Sequence, residues 1–121
     1  MIINKISENG IDIAVLSSDD LLIKDVQSAL DLMATVNYEV DCNRVILDKS
    51  LICEDFFDLK TRLAGEILQK FINYQFKIAI VGDFSVYTSK SLADFIYECN
   101  HGKDIFFVPD ENQAIEKFKR N

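Results

Sequence analysis

Apolar residues along the chain occur first as two short β-rich runs, Ile2–Ile6 and Ile11–Leu16. The residues between them include Asn9 and Gly10. Asn-Gly accepts positive φ at both central positions of a tight turn, and is a strong signal for a two-residue connection between strands. The pattern therefore predicts an antiparallel β-hairpin at the start of the chain.

The rest of the chain alternates between helical and strand-like spacing of apolar residues. Lys77–Val81 is continuously apolar after its first residue, which is typical of a strand covered on both faces. The predicted elements after the hairpin are a helix over about Asp20–Val36, a strand at Arg44–Leu47, a helix from about Glu54-Asp55 to Ile72, a strand at Lys77–Val81, a helix over about Ser89–Glu98, a strand at Ile105–Val108 and a helix over about Glu111–Lys119.

This order, β-β-α-β-α-β-α-β-α, predicts an α/β fold in a single domain over residues 1–121. The first strand is antiparallel because a two-residue hairpin permits no other pairing. The later strands run parallel, since right-handed crossovers join strands through helices. The prediction is therefore a mixed five-stranded sheet with about four helices.

Composition and charge narrow the class of protein. The 121 residues are 49% hydrophobic with 4 Gly and 1 Pro, which excludes disordered and low-complexity classes. No apolar run approaches the ~18 residues that a membrane span needs, so no membrane partner is expected. The net charge of −7 and the lack of a concentrated basic face argue against nucleic acid. An acidic chain favours solubility or a basic partner.

The three cysteines, Cys42, Cys53 and Cys99, cannot all pair within the chain, and none lies in a CxxC motif. A reduced, cytoplasmic location is the simpler interpretation. Cys99 and the single histidine, His101, do not provide the four ligands at matched spacings of a structural zinc site. We therefore expect no metal and no cofactor.

Several stretches are similar to the small bacterial family called domain of unknown function 4180. The resemblance covers essentially the whole chain and implies no particular chemistry. The stretches that carry it are Asp25-Val26-Gln27, Glu54–Lys60, Ala64–Phe71, Ile78–Phe84 and Tyr87–Leu92.

The order of elements also resembles STAS domains of anti-sigma-factor antagonists and the related SpoIIAA-like proteins, the latter also through the strand that ends in Val81-Gly82-Asp83. Antagonist STAS domains carry a phosphorylatable serine at the start of the helix after their third strand. A gap-free count places that region at Phe57-Asp58, and the nearest hydroxyls are Ser50 and Thr61. Asp58 then either supplies a fixed negative charge or merely complements a helix dipole.

The resemblance favours a non-enzymatic, regulatory protein-interaction module with an unidentified protein partner. The predicted binding surface combines Glu54, Asp55, Phe57 and Asp58 with the loop Asp83–Ser89. Phe56 and Phe57 are consecutive, and two arrangements are open. Either one of the two rings is exposed and contacts the partner, or both rings pack beneath neighbouring loops. The carboxylates could instead cap a helix, or act as acid and base if a cleft desolvated one of them.

The alternative function is binding of a small anion. Its predicted site is the segment that follows a buried strand and opens a helix, where open α/β sheets bind ligands. The candidate ligand-binding residues are Asp83, Ser85, Tyr87, Ser89 and Lys90. The segment lacks the glycine-rich loops of nucleotide-binding folds. A purely structural alternative makes Thr88 or Ser89 a helix cap.

A homodimer is a further expectation if either of two apolar features is exposed. One is the edge strand at Ile2–Ile6, and the other is the last helix around Ile115 and Phe118.

Overall fold

A computed structural model describes residues 1–121 and contains one five-stranded sheet in the sequential order β1-β2-β3-β4-β5. β1 pairs with β2 in antiparallel register, and the other three pairings are parallel. This confirms the predicted mixed α/β sheet. The strands are β1 Ile2–Glu8, β2 Ile11–Ser17, β3 Arg44–Asp48, β4 Lys77–Val81 and β5 Ile105–Val108.

Four α-helices and four short 3-10 turns connect and cover these strands. The helices are α1 Val26–Val40, α2 Leu63–Asn73, α3 Lys90–Asn100 and α4 Glu111–Arg120. The 3-10 turns are Lys49–Leu51, Glu54–Phe57, Leu59–Thr61 and Phe84–Val86.

The hairpin turn has the backbone conformation that the sequence predicts. Asn9 has φ of 53° and Gly10 has φ of 80°. Both values lie in the left-handed region, which matches the right-handed twist of the flanking strands.

The sheet separates two apolar cores. Ile78 and Ile80 of β4 belong to the larger core with residues of α1, α2 and α3, whereas Ala79 belongs to the smaller core with α4. The helices that connect the parallel strands, α1, α2 and α3, lie on the same face of the sheet. Each connection is right-handed and leads to the next strand in the same direction across the sheet, which places every connecting helix on that face. The double burial of β4 confirms the prediction made from its continuous apolar run.

The first helix begins later than predicted and ends later. The predicted range was Asp20–Val36, and α1 spans Val26–Val40. Ile23 instead forms an isolated parallel bridge with Ile52, which holds its segment extended. The helix is capped by Asp25, whose side chain accepts a hydrogen bond from the Ser28 backbone N–H at 2.7 Å.

The predicted continuous helix from Glu54 to Ile72 is wrong. Two 3-10 turns precede α2, and Arg62 with φ of 65° separates them from it. Phe56 and Phe57, at the end of the turn Glu54–Phe57, are both buried. The Asp58 side chain also accepts from the Lys60 backbone N–H at 3.2 Å, a local bond that competes with helix formation.

The two features proposed for a homodimer differ in exposure. Phe118 is only 1% exposed and packs in the smaller core, so the apolar side of α4 faces the sheet. β1 is a sheet edge, and Ile2 is 70% exposed. A dimer through β1 stays a prediction. None of the helices is long and apolar enough to cross a membrane.

Candidate functional site

The loops that follow β3 and β4 meet at the carboxyl ends of these adjacent parallel strands. The ring of Phe57 stacks on the ring of Tyr87, with centroids 5.2 Å apart and planes inclined by 16°. The ring of Phe84 lies 6.1 Å from that of Phe57. The two segments that were predicted to combine, Glu54–Asp58 and Asp83–Ser89, therefore lie side by side and form one surface, here called the carboxyl-end surface.

Phe57 supports this surface from beneath. Its side chain is 4% exposed, and its ring lies 5.0 Å from that of buried Phe56 in an edge arrangement. Of the two alternatives, burial of both rings is correct, and Phe57 is not an exposed anchor. The apolar side chain exposed here is Val86, at 61%, which the sequence pattern alone did not single out.

Lys49 is a member of the site that the sequence analysis missed. Its ammonium lies 4.8 Å from the centroid of the Tyr87 ring, within the range of a cation–π interaction. Its aliphatic stem passes over Gly82, where a Cβ would lie 2.7 Å from both Cγ and Cδ of the lysine. The available signal was positional, since Lys49 and Gly82 directly follow two neighbouring parallel strands.

Charge and burial shift the pKa values of two groups at this surface. Burial, followed by the nearby charge of Glu54, raises the pKa of the Tyr87 phenol. Hydrogen bonds from the Ser85 side chain and backbone, with a smaller contribution from Lys49, lower the pKa of Asp83. At neutral pH, Tyr87 is therefore a neutral hydroxyl and Asp83 is a carboxylate.

Glu54, Asp55 and Asp58 are all exposed. None of them lines the cavity of about 560 Å³ or the one of about 250 Å³. A general acid or base is usually tuned by desolvation in a cleft. Their exposure therefore counts against acid–base catalysis by this cluster.

The residues proposed for anion binding already have local partners. Asp83 accepts hydrogen bonds from the Ser85 backbone N–H at 3.0 Å and hydroxyl at 2.6 Å. Ser89 caps α3 by accepting from the Leu92 N–H at 3.1 Å, which confirms the structural alternative for this residue. The Lys90 ammonium pairs with Asp94 at 2.8 Å. These contacts leave little of the segment free for an anion.

The cysteine and histidine side chains do not form a cluster of metal ligands. No group of three or more His, Cys, Asp or Glu side chains is arranged to hold a metal ion. Burial, and then the charge of Glu98, raises the pKa of Cys99 to about 11, which favours the protonated thiol. The His101 ring nitrogen Nδ1 lies 2.8 Å from the Tyr97 carbonyl oxygen.

Comparison with known protein families identifies the family of this sequence. The model of the family described as domain of unknown function (DUF4180) matches residues 8–118. No curated protein and no solved structure matches the chain.

Proposed function

This chain belongs to the DUF4180 family, and we propose that it is a non-enzymatic, regulatory protein-interaction module of the bacterial cytoplasm. Its binding site in this proposal is the carboxyl-end surface. The single observation that carries the proposal is the Phe57–Tyr87 stack, which joins two loops into one surface. The stack of the buried Phe57 ring on the partly buried Tyr87 ring holds the loops in place, so little conformational entropy is lost when a partner binds.

The exposed side chains of this surface combine charge with one apolar contact. Four carboxylates are exposed on the two stacked loops, those of Glu54, Asp55, Asp58 and Asp83. The exposed apolar side chain there is Val86. Interfaces commonly combine an apolar centre with a polar rim. This distribution supports recognition of a protein surface better than enclosure of a small ligand.

The partner in this proposal is basic. Asp19 and Asp20 follow β2, and Asp110 and Glu111 follow β5, so these exposed residues extend the negative charge along the same end of the sheet. Complementary charge accelerates encounter and suppresses wrong partners, and salt weakens it. Binding is therefore expected to weaken as ionic strength rises.

The proposed relationship to STAS and SpoIIAA-like domains rests on the order of elements. In antagonist STAS domains, a phosphorylatable serine at the start of a helix regulates partner binding. A gap-free count places Asp58 in the corresponding region, five residues before α2 begins at Leu63. Asp58 also caps a 3-10 turn through Lys60. In this proposal its charge is permanent, so partner binding does not require phosphorylation at that position.

Affinity capture with matched charge variants tests the proposal. The tagged wild type, the double variant Glu54→Arg/Asp55→Arg and the control double variant Glu39→Arg/Glu98→Arg are incubated with lysate of the source bacterium. The control residues are exposed on α1 and α3, away from the carboxyl-end surface. A specific protein should be retained by the wild type and the control and lost with the surface variant, as measured by mass spectrometry.

The captured protein is then purified, and its affinity is measured directly against the same variants. Val86→Asp serves as a second surface variant because the side chain is exposed and can be replaced without disturbing the core. Phe57→Ala is unsuitable, since truncating a buried phenylalanine costs about 3–5 kcal/mol of stability. Equal affinity for wild type, Glu54→Arg/Asp55→Arg and Val86→Asp would exclude this surface as the binding site.

A further inference from the structure

A cavity of about 560 Å³ opens at the other end of the sheet from the carboxyl-end surface. One wall is α1, and the other is the segment Tyr74–Phe76, which joins α2 to β4. Asn43, which directly precedes β3, also lines it. The volume lies within the range of about 300–1,000 Å³ typical of small-molecule sites.

The cavity has an apolar floor and a polar rim. Met33 and Phe76 are buried, and Leu30 is partly buried beside them. The rim includes Asn37 and Asn43, both exposed. A ligand with an apolar body and a polar end fits this division, because the body removes apolar surface from water while the polar end stays at the rim.

The electrostatics of the cavity favour a cation. Asp31 is the charged side chain in its lining, and neither lysine nor arginine lines it. Asn37 lies in the last turn of α1, and Tyr74 directly follows α2, so two helix C-termini meet at the rim. Helix C-termini carry partial negative charge, which Lys70 offsets in the last turn of α2, whereas α1 has no basic residue in its last turn.

Two further features suit an ammonium group. Tyr74 is 62% exposed and presents an aromatic face, which attracts cations. One oxygen of Asp31 accepts a hydrogen bond from Gln27 Nε2 at 2.9 Å, which orients the carboxylate. The wall opposite is held by the Asn43 amide, which donates to the Gln75 carbonyl oxygen at 3.1 Å.

We propose that this cavity binds a small organic amine with an apolar body. The ammonium pairs with Asp31 at the rim, and the apolar body packs on Met33 and Phe76. This site is separate from the carboxyl-end surface and does not depend on the proposed partner binding.

Three probes with the same apolar body and different charge test the proposal on the full chain. They are 4-phenylbutylamine, 4-phenylbutanol and 5-phenylvalerate, which all carry the phenylbutyl group, titrated while amide shifts of Asp31, Asn37 and Gln75 are followed by NMR. The amine should bind most tightly, the alcohol more weakly and the carboxylate least. Equal binding of amine and carboxylate, or no binding by the amine at about 10 mM, well above the ~1 mM dissociation constant of a weak complex, would overturn the proposal.

Variants separate the charge from the apolar body. Asp31→Asn should weaken amine binding roughly fivefold, as expected for a partly exposed ion pair, and leave alcohol binding unchanged. Glu39→Gln removes an exposed charge of α1 outside the lining and should change neither affinity. Ala34→Trp, at an exposed lining position, should fill the cavity and abolish binding of all three probes. Unchanged amine affinity in Asp31→Asn would disprove the ion pair.

Discussion

At the scale of single residues, Gly82 is needed because the stem of Lys49 lies where a Cβ would be. We predict that Gly82→Ala destabilises the wild type, because the new methyl group collides with Cγ and Cδ of Lys49 and displaces its ammonium from Tyr87. In a Lys49→Ala background the same substitution should cost much less, because Cγ and Cδ are absent and the remaining Cβ of residue 49 lies 3.3 Å from the new methyl group.

A double-mutant cycle measures this difference between the two backgrounds. Urea unfolding of the wild type, the two single variants and Lys49→Ala/Gly82→Ala gives the coupling free energy, which should exceed about 0.5 kcal/mol for residues in direct contact. Gly65→Ala is the matched control, because a Cβ there meets no atom within 4 Å. Additive effects of Gly82→Ala and Lys49→Ala would show that the close approach has no energetic consequence.

At the scale of elements, the two edges of the sheet differ. β5 is one edge, and the side chain of Asn100 pairs with its backbone, accepting from the Phe107 N–H at 2.8 Å and donating to the Phe107 carbonyl at 3.0 Å. An amide side chain thus takes the place of a neighbouring strand. Exposed edges otherwise promote association with other chains.

We therefore predict that Asn100→Ala both destabilises the protein and promotes self-association. Two backbone groups of Phe107 lose their partner, which costs about 1–3 kcal/mol, and they become free to pair with another chain. Urea unfolding and sedimentation velocity at several protein concentrations measure the two effects. Asn112→Ala, at an exposed position on α4, is the control. A variant that remains as stable and as monodisperse as this control would contradict the prediction.

Elements formed by local signals were predictable, and elements decided by distant contacts were not. Asn9-Gly10 carries its own turn conformation, and β4 shows its double burial in its composition. The start of α1 depends on the bridge between Ile23 and Ile52, residues far apart in sequence. Local periodicity assigned Ile23 to the helix because it contains no information about such a bridge.

The candidate site likewise contains one part that could be predicted from the sequence and one part that could not. The segments that follow β3 and β4 could be predicted because open α/β sheets bind their ligands at the carboxyl ends of the parallel strands. The stacking of Phe57 on Tyr87 and the path of Lys49 over Gly82 depend on loop conformation, which the sequence did not show. The cavity beside α1 was not predicted, because its walls come from segments without any common motif.

At the scale of the whole molecule, alkaline pH should destabilise the fold through Cys99. Burial raises its pKa from an ordinary value of 9.0 to about 11, with a smaller contribution from Glu98. Between these values the unfolded chain loses a thiol proton that the folded chain keeps, so the free energy of unfolding falls as pH rises. The contribution is complete below pH 9 and is lost as pH increases through the folded pKa.

The loss attributable to Cys99 between about pH 8 and about pH 10 should reach roughly 1 kcal/mol, allowing for its half-exposed position. Urea unfolding at each pH measures the free energy of unfolding for the wild type and for Cys99→Ala. The variant should be less stable at neutral pH, because it loses packing, yet its stability should decline less steeply with pH. Tyrosine and lysine residues titrate in both proteins, so the difference between the two slopes isolates the thiol. Parallel slopes would mean that Cys99 ionises alike in the folded and unfolded chains, and its burial would then not link folding to pH.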